Sequence, residues 1–194
     1  PRPTVTLHKT SGRTRLGLAL ASVTMLAWAT LPVALSAMLR DLDPLTLTWF
    51  RFLAASMLLA AVLGSRGSLP KLSALAPTGW LLLVLATLFL AANYLLFLIG
   101  LSLTTPANTQ ILMQLSPLLF ALGGITIFGE RFKRRQWLGF FILIGGLAVF
   151  CSDQLVAFVA EGDRYLLGYA VILAAAFSWA VSLLIQKRLL TIFR

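Results

Sequence analysis

Arg51 stands inside an otherwise uncharged apolar run, about Leu45 to Leu63, that follows Asp43-Pro44. At ~1.5 Å per residue it lies roughly 10 Å inside a helix entered there, and an unpaired cation at bilayer depth costs ~2.5–3.5 kcal/mol. Two arrangements relieve that cost. The guanidinium faces a cavity, where its planar fork binds a carboxylate or phosphate through two hydrogen bonds. Otherwise it snorkels to the headgroups, or pairs with Asp41 or Asp43. Gln110 and Gln114, four residues apart, share a helix face with Pro106 and Pro117, and amides on one face are hard to satisfy in lipid. Thr24, Trp28, Pro32 and Ser36 recur every four residues and present hydroxyls, an indole and a proline. Ser178, Ser182 and Gln186 make a matching stripe beside Trp179, and Asn93-Tyr94 form a further polar pair in mid-run. Such stripes either line a pathway or hold helices together by hydrogen bonds. Glu130 stands beside Arg131, Lys133, Arg134 and Arg135, which gives it a role in local charge balance or in gating.

The elements that position these groups follow from composition. With 59% hydrophobic residues, 11% charged residues and a mean hydropathy of +0.93, the 194-residue chain is too apolar for a soluble domain. Six apolar runs are expected to be transmembrane helices, at about 16–39, 45–63, 78–101, 106–129, 136–152 and 165–186. A barrel would instead alternate apolar and polar residues. Residues 1–15 read as a tail, residues 187–194 as a polar end, and Asp153, Glu161, Asp163 and Arg164 as a loop before the last span.

Orientation follows from charge. A net charge of +10 suggests nucleic acid in a soluble chain, but here Lys and Arg sit in short loops between spans. Alternate loops carry four, two, four and three cations on one side, against Arg40 and Arg164 on the other. By the positive-inside rule, both ends of the chain are expected in the cytoplasm.

Sliding the chain by 151 residues lays Gly168, Ala170, Trp179, Ala180 and Leu190 on Gly17, Ala19, Trp28, Ala29 and Leu39. Span six then reads as a second copy of span one. A five-span unit whose copy enters from the opposite side is an inverted-topology repeat, with residues 16–152 as repeat one and the rest of repeat two expected beyond Arg194.

Several motifs carry a resemblance: Ala27-Trp28-Ala29, Asp43-Pro44, Thr48-Trp49-Phe50-Arg51, Thr104 to Pro117, Gly129-Glu130-Arg131, and Gln136-Trp137-Leu138-Gly139. In their order the chain resembles the EamA-type, ten-helix branch of the drug/metabolite transporter superfamily. That resemblance implies an all-α integral membrane protein of five-plus-five inverted helices, an inner-membrane secondary transporter, often an exporter of amino acids or other small metabolites. The partners expected are membrane lipid and a small-molecule substrate, with a proton or other coupling ion and a homodimer left open. The competing reading is a non-transporting fragment or assembly partner whose polar faces only pack helices.

The absences sharpen this. No Asp or Glu lies within a span, so the embedded carboxylate of small proton-coupled multidrug antiporters is missing. The sequence holds no phosphate-binding loop, no paired helical His and no nucleophile elbow, which argues against an ATP-driven pump or an enzyme. One cysteine, Cys151, and one histidine, His8, make no disulfide and no metal site, and no cofactor is expected.

Overall fold

A computed structural model describes residues 14–67, 76–161 and 163–192, with side chains described for 16–67, 76–152 and 165–190. The tail with His8, the linker with Lys71, the side chains of Asp153, Glu161, Asp163 and Arg164, and Arg194 lie outside that description.

All regular elements among the described residues are α-helices: α1 (Thr14–Met38), α2 (Pro44–Ser65), α3 (Pro77–Leu103), α4 (Pro106–Leu112), α5 (Leu115–Phe128), α6 (Arg134–Glu161) and α7 (Asp163–Ile192). Among the described residues six segments are long and apolar enough to cross a membrane, with α4 and α5 counted as one. The starts are written in local chemistry. Asp43 caps α2 by accepting the Thr46 N–H at 2.9 Å, and Thr105 caps α4 by accepting the Asn108 N–H at 3.2 Å. Pro44, Pro77 and Pro106 each open a helix where a missing N–H is no loss. Gly129 ends α5 in the left-handed region, at φ 66°, as a helix C-terminus requires.

Two features depart from the sequence expectation. Span four is not one helix: it breaks at Met113-Gln114. Pro117 has no N–H to give the Met113 carbonyl, and its ring crowds that oxygen. The Ser116 N–H takes Met113 O at 3.0 Å instead, while the Gln114 N–H takes Ile111 O at 3.0 Å. The apolar span five ends at Ser152 as expected, but its helix does not: α6 runs on to Glu161 and α7 starts at Asp163, so the expected loop is drawn into two helix ends. Helical hydrogen bonding does not need an apolar side chain, and it outlasts the hydrophobic stretch.

The bundle is organised by α3 against α7. Their antiparallel register pairs Gly100 with Gly168, where a Cβ built on Gly100 would come within 3.3 Å of the Gly168 carbonyl. It pairs Asn93 with Ala175, whose carbonyl accepts Asn93 Nδ2 at 2.8 Å. It also pairs Ala86 with Ser182, whose Oγ donates to Ala86 O at 3.0 Å. Each step is seven residues on both helices, a coiled-coil repeat built from small residues that bring the backbones close. At one end of the bundle Asn108 Nδ2 donates to the Tyr165 hydroxyl at 3.2 Å, and Leu35, Leu47, Leu98 and Leu101 bury one another. By contrast α1, α2 and α6 turn large side chains such as Met25, Leu58 and Phe141 outward, as lipid-facing helices do.

Candidate functional site

Between α1, α2, α3, the α4–α5 break and α7 lies a cavity of about 420 Å³. Helix α1 contributes Trp28, Leu31, Pro32 and Leu35, and span four contributes Gln110, Met113, Gln114 and Pro117. Both sets follow the i, i+3, i+4, i+7 pattern of a single helix face. Arg51 of α2, Asn93, Tyr94 and Phe97 of α3, and Trp179 of α7 complete the wall.

Among the described lining residues Arg51 is the one charged group, so it sets the electrostatics of the cavity. Its Cζ lies 5.1 Å from the centroid of the Tyr94 ring, a cation–π contact. Phe52 meets the same ring edge-on, with centroids 5.2 Å apart. Of the two partners proposed for Arg51 on the sequence, Asp43 is engaged as the α2 cap, and no carboxylate pairs with Arg51 among the described residues. Hydrogen bonds from Thr46, its hydroxyl first and then its backbone N–H, hold the Asp43 carboxyl below its ordinary range. A second hollow of about 340 Å³, lined by Thr48, Phe52, Ala54 and Ala55, shares Arg51 and Tyr94 with the first, so the stacked pair stands between the two.

Trp28 and Trp179, the residues matched by the 151-residue shift, meet at the cavity with ring centroids 5.4 Å apart at 31°. Gln114 Nε2 reaches the Gln110 carbonyl at 3.5 Å, at the break where a backbone N–H would otherwise bond it. Asn93 is buried and its amide is spent on Ala175, which makes it a clamp for α7 as well as part of the wall. The described lining offers one planar cation, three side-chain amides and four aromatic side chains, which is a binding inventory with no nucleophile–base pair in it.

Two expected lining residues lie elsewhere. Thr24 sits on the exposed surface of α1 with Oγ1 donating to Leu20 O at 2.9 Å, and Ser178 is buried off the wall. The physical reason is geometric: a stripe with a strict period of four turns ~40° round the helix at each step, so it leaves the cavity within two turns. Leu31, Leu35, Phe97 and Met113 join the wall beyond the sequence expectation, though extending the three-and-four spacing from Trp28 and Gln110 finds three of them. Ser182 of the span-six stripe acts as helix glue by donating to Ala86 O of α3, while Gln186 Nε2 donates to Ser182 Oγ at 3.0 Å within α7.

Glu130 lies away from the cavity, where its Oε1 accepts from Lys187 Nζ of α7 at 2.6 Å. No group of three or more metal-ligating side chains occurs among the described residues.

Residues 15–152 match the EamA-like transporter family. The chain belongs to that family. It is 33% identical over 178 residues to an uncharacterized transporter of Haemophilus influenzae, covering 92% of this chain and 58% of that protein. To the uncharacterized inner membrane transporter YhbE of Escherichia coli K12 it is 33% identical over 176 residues, covering 90% and 55%. An uncharacterized transporter of Archaeoglobus fulgidus is 32% identical over 174 residues, covering 88% and 57%. The chain thus spans little more than half the length of these relatives. No solved structure matches it. As an EamA-family member it is a multi-pass membrane protein of a transporter family.

Proposed function

We propose that this protein is, or forms part of, a secondary transporter that exports small polar or amphipathic metabolites, amino acids among them, across the inner membrane by alternating access. The observation that carries the reading is the cavity of about 420 Å³, large enough for a metabolite, with Arg51 as its charged lining residue. In this reading Arg51 takes the carboxylate of the substrate, the Gln110 and Gln114 amides orient its polar remainder, and the indoles of Trp28 and Trp179 hold its apolar part. Two further observations support it. An arginine braced on Tyr94 is preorganised for a fork, and a wall drawn from five spans is the arrangement that transporters use at the midplane. The meeting of Trp28 with its shift-related partner Trp179 favours an inverted repeat with its axis at the cavity.

The test is transport of an anionic or zwitterionic substrate by Arg51→Lys and Arg51→Gln at matched membrane levels. The lysine variant keeps the charge and loses the fork; the glutamine variant loses both. Transport should fall in that order, with the second down about tenfold or more, the scale of a lost charge-assisted hydrogen bond of ~1.5–3 kcal/mol. Wild-type rates in both would discard the anion site. The orientation, both ends cytoplasmic, is tested with single cysteines in a Cys151→Ser background: at Asp41 an impermeant thiol reagent should label intact cells, and at Lys133 it should not.

A further inference from the structure

Four independent features converge on Glu130. Gly129 adopts φ 66° and turns the chain, so that the Glu130 N–H bonds back to Gly124 O at 3.1 Å. The Glu130 carboxylate then lies over Gly124, where a built Cβ would come within 2.5 Å of Oε2, so any side chain at position 124 would push the carboxylate out of this seat. Across the interface Lys187 Nζ donates to Glu130 Oε1 at 2.6 Å. The same ammonium rests 4.7 Å from the centroid of Phe128 and 5.4 Å from that of Phe120. Charge balance alone needs none of this seating, and the four exposed cations that follow, Arg131 and Lys133 in the loop and Arg134 and Arg135 in the first turn of α6, could supply it. The pair is partly sheltered, with side-chain exposures of 19% for Lys187 and 43% for Glu130, which reduces solvent screening.

Its place in the bundle gives it a use. Helix α5 is bounded at one end by the Met113-Gln114 break and at the other by the Glu130–Lys187 pair. Between them the α5–α7 contact includes the tip of Leu184 in the notch above Gly123, an apolar contact without directional bonds. A segment hinged at one end and clasped at the other is the geometry of a gate. We infer that the Glu130–Lys187 pair is a latch that holds α5 against α7 and closes the cavity on the side of the basic 131–135 loop. This rests on the transport reading only for its purpose, since the closure itself is a structural event that can be measured without transport.

The experiment places a reporter cysteine at Gln114 in the cavity wall, with Cys151→Ser, in the otherwise intact protein in membrane vesicles. An impermeant thiol reagent is applied from each face separately. Glu130→Gln and Lys187→Met remove one charge each, while Gly124→Ala keeps both charges and pushes the carboxylate aside. All three should raise the labelling rate from the basic-loop face, roughly two- to fivefold, the range corresponding to a partly exposed ion pair of ~0.4–1 kcal/mol. Labelling from the opposite face should stay unchanged or fall. An unchanged rate, or an equal rise from both faces as general loosening would give, overturns the latch. If labelling shifts as expected while the Arg51 variants transport normally, the latch stands and the anion site does not.

Discussion

The wall of the cavity is built in two ways. Where α3 meets α7, three close pairs recur every seven residues, and two of them carry side-chain-to-backbone hydrogen bonds of 2.8 and 3.0 Å. Where α4 gives way to α5, the chain forfeits regular hydrogen bonds at Pro117 and leaves Ser116 Oγ buried with no hydrogen-bond partner among the described residues. The first region is over-determined and the second under-determined, yet both face the same cavity. The contrast sets a regular, hydrogen-bonded seam of α7 on α3 beside an irregular break between α4 and α5, and that break is where the inferred gate would hinge. A buried hydroxyl left without a partner is the local cost of keeping that hinge.

That division can be broken on the rigid side first. Gly168→Val places a Cβ 2.9 Å from Leu103 Cβ and 2.5 Å from Thr104 Cγ2, with backbone close behind. Overpacking of this kind costs ~1–3 kcal/mol, so thermal unfolding in detergent should show a larger loss of stability for Gly168→Val than for any other substitution named in this Discussion. Wild-type stability would mean that the seam is loose. On the mobile side Pro117→Ala restores an N–H to the helix and removes the clash with Met113. Stability should hold or rise, while transport falls by about tenfold, equivalent to ~1.4 kcal/mol in the barrier. A loss of stability with unchanged transport would reverse the assignment of rigid and mobile parts.

The smallest effect tests a cap remote from both. The Asp43 carboxyl is held below its usual range in the folded state, so the stability it gives is present at neutral pH, above its unfolded value. That stability is lost as pH falls through the depressed value. Asp43→Ala should therefore lower the thermal midpoint slightly at pH 7, and the difference from wild type should vanish in acid. A difference independent of pH would assign the effect to packing instead.

Much of this fold is legible in residue order. Length and apolarity locate the six spans, and Asp43-Pro44, Thr105-Pro106 and Gly129 mark helix ends by residue type alone. Charge marks Arg51 for attention, since a cation in an apolar run stands out whatever surrounds it. The break in span four is less visible. Pro117 signals it, but a proline is also tolerated in a continuous transmembrane helix, so only the bonds of Ser116 and Gln114 decide. The far end of α6 is hidden for a related reason: Asp153 ends the hydrophobic stretch, not the helix. Partner choice is the least legible. Nothing local tells Glu130 to reach Lys187, 57 residues on, in preference to the four cations beside it. That choice is made by the turn at Gly129, the room over Gly124 and the rings of Phe120 and Phe128.

The α3–α7 seam also has a consequence in time. Asn93 and the Ala175 carbonyl it binds are 82 residues apart, so α3 is synthesised long before its partner exists. At ~5–20 residues per second, the ribosome takes roughly 4–16 s to make the intervening chain. Throughout that interval the Asn93 amide is in the membrane without the acceptor it will use, and the Gly100 groove has nothing to receive. Insertion of α3 is thus a provisional event, completed only when α7 arrives, and a nascent chain stalled before Ala175 should keep α3 within crosslinking reach of the insertion machinery.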